Sequence, residues 1–162
     1  MTERQNNFAA GEKLNIGSGI RNWTNWLCYD ELDATGVTKV KFNENTRFDF
    51  FLKNKKQKCF LEVKNVTLLR DKKTAEFPDS VTKRGTKHLL ELSQQVKKGN
   101  RAVMLYLVQR ADCKYFSVAG DIDPAYASAI ETALNAGVEF LCYDCNISTD
   151  GISMRNPLEI KI

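Results

Sequence analysis

The sequence predicts an α/β domain built on a mixed central sheet flanked by helices. Three observations lead there. Two strand-like runs, Val40 to Lys53 and Cys59 to Leu69, are joined by a short charged loop and read as an antiparallel hairpin. Helical periodicity then appears twice, from about Val81 to Lys98 and from Asp123 to Gly137. Each helix is followed by an apolar strand, so the order is hairpin, helix, strand, helix, strand.

Taken in chain order, residues 1–20 are polar and glycine-dotted without a sustained period, and are expected to be poorly ordered or weakly packed. Asn22 to Tyr29 suits either a short helix or an extended segment, and Asp33 to Thr38, with Gly36, reads as a turn. The expected division is an atypical, partly disordered segment at 1–38 and one domain at 39–162. Lys53 to Lys58 (KNKKQK) is the hairpin loop, and Arg70 to Asp79 is a longer loop ending at Pro78–Asp79. In the first helix Leu89, Leu92 and Val96 recur at helical spacing, and Gly99 supplies the stop. Arg101 to Arg110 (RAVMLYLVQR) is a continuous apolar run, as in a strand covered on both faces. Asp123 caps the second helix and Pro124 begins it. Ala127, Ile130, Ala133 and Leu134 form its apolar face, and Gly137 ends it. Val138 to Ile147 is the next strand, followed by a turn at Asp150–Gly151 and an extended end from Leu158 to Ile162.

A chain of 162 residues suffices for one domain with a real core. Its longest strongly apolar run, Ala102 to Val108, is far short of the roughly 20 residues of a membrane span. The opening MTERQNNFAAGEK has no apolar core, so it is not a secretory signal. Five cysteines, an odd number, suit reduced thiols in a cytoplasm. The formal net charge of +4 is unevenly placed: residues 39–101 hold 17 basic and 7 acidic residues. Such a segment attracts polyanions by releasing counterions. It also suits a solvated lysine-rich face.

The hairpin holds a candidate site. Side chains alternate along a strand, so Phe48, Phe50 and Leu52 share one face, and Arg47, Asp49 and Phe51 the other. In the second run Cys59, Leu61 and Val63 oppose Phe60, Glu62 and Lys64. A register that buries Phe48, Phe50, Leu61 and Val63 together brings Asp49 beside Glu62 and Lys64. Asp49 and Glu62 are then candidate ligands for magnesium or manganese, hard cations held through carboxylate oxygens and water. Lys64 would position or deprotonate a water, or stabilise charge developing on a phosphate. The plain alternative is a surface salt bridge worth about 0–1 kcal/mol.

Arg84, Lys87, His88 and Glu91 lie at i, i+3, i+4 and i+7 of the first helix and form one polar stripe. His88 is the only histidine. Gly85 costs helix propensity, which suits a close approach to the backbone. On spacing alone, a solvated helix face with an incidental histidine is the favoured reading. Cys142 and Cys145 form one lone pair on a strand, three apart and so on opposite faces, which argues against zinc.

The runs RFDFFL, CFLEVKNVTL, EFPDSVTKRGTKHLLEL, GNRAVMLYLVQR and DPAYASAIETALNAGVEFLCYDCNIS resemble the sugar fermentation stimulation protein (SfsA) family, from about Val40 to the C-terminus. The resemblance implies a restriction-endonuclease-like PD-(D/E)XK nuclease domain at 39–162. Asp49 then matches the metal-binding Asp, and Glu62 and Lys64 the Glu-x-Lys pair. It implies non-specific DNA binding and regulation of sugar (maltose) metabolism. The alternative is hydrolysis of DNA phosphodiesters by a magnesium-activated water. Phe77, Pro78, Asp79, Thr82, Arg84, Gly85, Lys87, His88 and Leu89 fall on a family segment at the edge of that site. Lys55, Lys56, Lys83, Arg84, Lys87 and His88 are the expected nucleic-acid contacts. DNA is the implied partner, no membrane is, and the oligomeric state is left open, a homodimer included.

The front of the chain departs from the family. Members usually carry an N-terminal barrel of about 80 residues resembling an OB-fold. The first 40 or so residues here do not resemble it, as expected of a short form or a truncated product. The family's Glu-Val-Lys-Tyr-Gly run reads Lys39-Val40-Lys41-Phe42-Asn43, so a lysine stands where a carboxylate is expected; Glu31 and Glu44 are candidate substitutes.

Overall fold

The computed structural model describes residues 47–53 and 57–162, together with strand backbone at 14–15, 38–43 and 46. The expectations for the rest of 1–37, and for Glu44, Lys55 and Lys56, lie outside the described residues.

The described residues form two sheets. The larger has the order β1-β10-β9-β7-β4-β3-β2. Its strands are β1 (Leu14–Asn15), β2 (Thr38–Asn43), β3 (Thr46–Lys53), β4 (Lys58–Val66), β7 (Arg101–Val108), β9 (Glu139–Ser148) and β10 (Gly151–Pro157). At its centre β4, β7 and β9 run parallel, with antiparallel strands on both sides, so the sheet is mixed as expected. The smaller sheet has the order β11-β8-β6-β5, from β5 (Leu68–Leu69), β6 (Thr74–Phe77), β8 (Tyr115–Val118) and β11 (Glu159–Lys161). Among the described residues the helices are α1 (Lys83–Lys97) and α2 (Pro124–Ala136).

Several boundaries differ from the sequence reading. Val40 to Lys53 is two strands, β2 and β3, paired as a hairpin with Asn43 opposite Thr46. The strand read from Cys59 to Leu69 ends at Val66, and Leu68–Leu69 crosses to the small sheet. Thr74–Phe77, read as loop, pairs in parallel with Tyr115–Val118. These strands have two to four residues, too few for alternation to register.

The apolar run in β7 divides between two cores. Ala102, Met104, Tyr106 and Val108 face one side, with Leu89 and Leu92 of α1 and Tyr126, Ala129, Ile130 and Ala133 of α2. Val103, Leu105 and Leu107 face the other, with Leu52, Cys59, Leu61, Tyr143 and Cys145. Both helices therefore pack on the Tyr106 face. Cys142 joins the first core and Cys145 the second, so the pair does straddle the sheet. The four described cysteines are buried.

The helix starts are tied together. Asp123 accepts hydrogen bonds from Tyr126 N (3.0 Å), capping α2, and from Thr82 N (2.8 Å). Thr82 is itself the cap of α1 and accepts from Gly85 N (3.1 Å). A Cβ on Gly85 would lie 2.9 Å from Thr82 Oγ1 and 3.0 Å from the Tyr126 ring. The close approach that Gly85 suggested is thus made by α2. Alanine exceeds glycine by about 1 kcal/mol in helix propensity. Overpacking costs about 1–3 kcal/mol, and displacing the cap about 1 more. Gly85→Ala is therefore expected to lower the melting temperature; a rise on thermal unfolding would show that the helices are not in contact there.

Candidate active site

The site begins with an irregularity in β3. Thr38 pairs with Phe51 and Val40 with Phe48, so Lys39 alone stands opposite Asp49 and Phe50. The extra residue is a bulge, which reverses the alternation of side chains. Phe48 consequently lies in the core beneath the helices, while Phe50 and Leu52 stay on the opposite face. This corrects the strict alternation that placed all three together. On the other side, Phe50 pairs with Leu61 and Leu52 with Cys59, the register expected of the hairpin. Past Phe50 the Asp49 side chain reaches across, and Val63 N donates to its Oδ2 at 3.0 Å.

Glu62 points beneath α1 and is only 3% exposed. Lys64 Nζ donates to Oε1 at 2.7 Å, and His88 Nδ1 makes a short hydrogen bond to the same oxygen. Oε2 is buried with no hydrogen-bond partner. Burial pushes the Glu62 carboxyl up, but the His88 hydrogen bond and the charge and hydrogen bond of Lys64 outweigh it, leaving the carboxyl below its ordinary range. Glu62 is therefore ionised at neutral pH.

The polar stripe of α1 is split by packing. His88 and Glu91 are buried, and Arg84 and Lys87 are exposed, as is Lys83. The His88 ring lies 6.1 Å from that of Phe48. His88, expected to be a DNA contact, sits inside the site, bonded to Glu62. Lys64, Glu62 and His88 are thus brought into direct contact, and Asp49, on β3, is held against β4 through the Val63 N–H. Sequence reasoning missed the Val63 N–H, which no side-chain pattern marks, the contact of Tyr126 with Gly85, and the bond by which Asp123, read only as the cap of α2, also fixes the start of α1.

Among the described residues, no three His, Cys, Asp or Glu side chains gather closely enough to hold a metal by themselves. The donors that fit are two carboxylates, Asp49 and Glu62. That set suits a hydrated hard dication, which keeps several waters. An unpartnered buried oxygen such as Glu62 Oε2 costs about 1–3 kcal/mol, more when charged, and a bound cation would remove that cost.

Residues 24–151 match a family described as the sugar fermentation stimulation protein RE domain. A sugar fermentation stimulation protein homolog from Ruegeria sp. (strain TM1040) is 52% identical over 82% of this chain and 56% of its own. The homolog from Roseobacter denitrificans is 50% identical over 76% of this chain and 53% of its own. The chain thus spans about half the length of the curated relatives it matches. A solved structure, Pyrococcus furiosus SfsA in complex with Ca2+, superposes with a TM-score of 0.69 at 26% identity, covering 79% of this chain and 57% of that one. The mixed sheet flanked by two helices is therefore the nuclease-like fold of that structure. Among the described residues no helix is long and apolar enough to cross a membrane.

A depressed carboxylate stabilises the fold fully above its ordinary value, 4.5, and loses that contribution as pH falls through the lower folded value. Glu62→Gln in a chelating buffer should therefore be less stable than wild type at neutral pH, with the gap narrowing below pH 4.5. Urea melts across this range check it, and a gap independent of pH would mean that Glu62 is not held ionised.

Proposed function

The chain belongs to the sugar fermentation stimulation protein family, and from that premise we propose that it binds DNA with little sequence preference and hydrolyses its phosphodiester bonds at Asp49, Glu62 and Lys64. The observation that carries the reading is the uneven use of Glu62: two donors crowd Oε1 while buried Oε2 has none. A magnesium or manganese ion held by Asp49 and Glu62 would supply phosphate polarisation and an acidified water. The Ca2+ named for the Pyrococcus furiosus relative, another hard dication with oxygen ligands, supports this donor set.

The chain's own residues have separable tasks. Glu62 contributes a full negative charge, since its carboxyl is held below the ordinary range. Asp49 is oriented by the Val63 N–H. Lys64, anchored on Glu62 at 2.7 Å, puts a positive charge where an attacking water loses its proton and phosphate charge develops. Exposed Lys83, Arg84 and Lys87 on α1, with Lys55 and Lys56 of the hairpin loop, would neutralise backbone phosphates. Residues 39–162 would form the nuclease-like unit, acting in the cytoplasm. Any regulation of sugar (maltose) metabolism would follow from its DNA binding.

A binding-only reading has one observation in its favour. Lys39, which stands where the family resemblance expects a carboxylate, lies across the strand pair from Asp49. One assay separates the readings: single- and double-stranded DNA incubated with and without Mn2+, with gels run for shift and for cutting. DNA should shift at low salt and release steeply as salt rises. Mn2+ should switch on cleavage, and Lys64→Ala, shown by circular dichroism to be folded at the assay temperature, should lower it about 100-fold or more. A shift without cutting supports binding alone. Equal cutting by wild type and Lys64→Ala identifies a contaminant.

A further inference from the structure

We propose that His88 is a positioning residue: from α1 it pins Glu62 by Oε1 and so leaves Oε2 to the divalent cation. The inference rests on the metal site proposed for Asp49 and Glu62. It assigns His88 a task other than the DNA contact that its helical stripe suggested.

Three observations support it. His88 is 2% exposed, while Lys83, Arg84 and Lys87 beside it are at the surface. Its Nδ1 and the Lys64 ammonium converge on one oxygen of Glu62, and the other oxygen has no partner. A carboxylate free to turn about its last bond would share its donors between both oxygens. Lys64 cannot hold that plane alone, because an ammonium on a flexible stem fixes a distance and not an orientation. The imidazole can, because its own position is fixed. Phe48, turned inward by the β3 bulge, packs beside the ring. The start of α1 is locked through Thr82, Asp123 and the close contact of Gly85 with Tyr126. Partners that orient a metal-binding carboxylate typically change metal affinity 10–100-fold.

The test is calorimetric titration of Mn2+ alone into the metal-free full chain, for wild type, His88→Ala, His88→Asn and His88→Gln, each checked by circular dichroism. The asparagine amide nitrogen falls near the place of Nδ1, and the glutamine nitrogen near that of Nε2. The expected result is a Kd weakened about 10–100-fold in His88→Ala, largely recovered in His88→Asn and not in His88→Gln. If His88→Ala fails to fold, the asparagine and glutamine variants carry the comparison. An unchanged Kd in folded His88→Ala overturns the proposal, and so does a folded His88→Asn no better than His88→Gln. A wild type that binds no Mn2+ defeats the metal-site reading itself, and the role of His88 falls with it.

Discussion

Glu62 is an ionised carboxylate buried in a sheet, and the placing of much else answers to it. Taking a carboxylate out of water costs several kcal/mol, and the cost is tolerable only with well-placed partners. Here the partners come from two directions. Lys64 lies two residues along the same strand, and His88 arrives from a helix 26 residues later. Removing either leaves a charge poorly compensated. The helix must therefore dock in one place, and its polar stripe splits into a buried inner edge and an exposed basic outer edge.

The rest of the fold can be read as support for that docking. Asp123 joins the starts of both helices, and Gly85 lets the Tyr126 ring approach the first turn of α1. Below them Tyr106, level with Lys64 on the neighbouring strand, shares a 2.6 Å hydrogen bond with Tyr126. Strand, helix and helix are thus linked by polar contacts through Tyr106, Tyr126, Asp123 and Thr82. The β3 bulge completes the arrangement from the hairpin side. It turns Phe48 toward His88 and leaves Asp49 able to reach the Val63 N–H.

Those features differ in how legible they were. The central strands and both helices could be read, because each shows its own periodicity and Asp123-Pro124 and Gly137 mark boundaries locally. The pairing of Glu62 with Lys64 was equally visible, since alternation within one strand dictates it. The small sheet was not, because strands as short as Leu68–Leu69 exist only through their partners. Nor was the inward turn of Phe48: the bulge depends on the register of β2 against β3, and the boundary between those strands fell within one uniform run. The contact of His88 with Glu62 lies further still from any local pattern. The helical spacing allowed a solvated histidine, and only the packing of α1 on β4 decides against it.

The chain belongs to the sugar fermentation stimulation protein family, and the case for Glu62 rests on its geometry. The most direct test is diffraction from crystals soaked in Mn2+, with anomalous scattering to locate the ion. The account predicts a peak bound by Glu62 Oε2 and Asp49, with His88 and Lys64 still on Oε1. A peak elsewhere, or a Glu62 whose Oε2 meets only protein or water in fully soaked crystals, would contradict it.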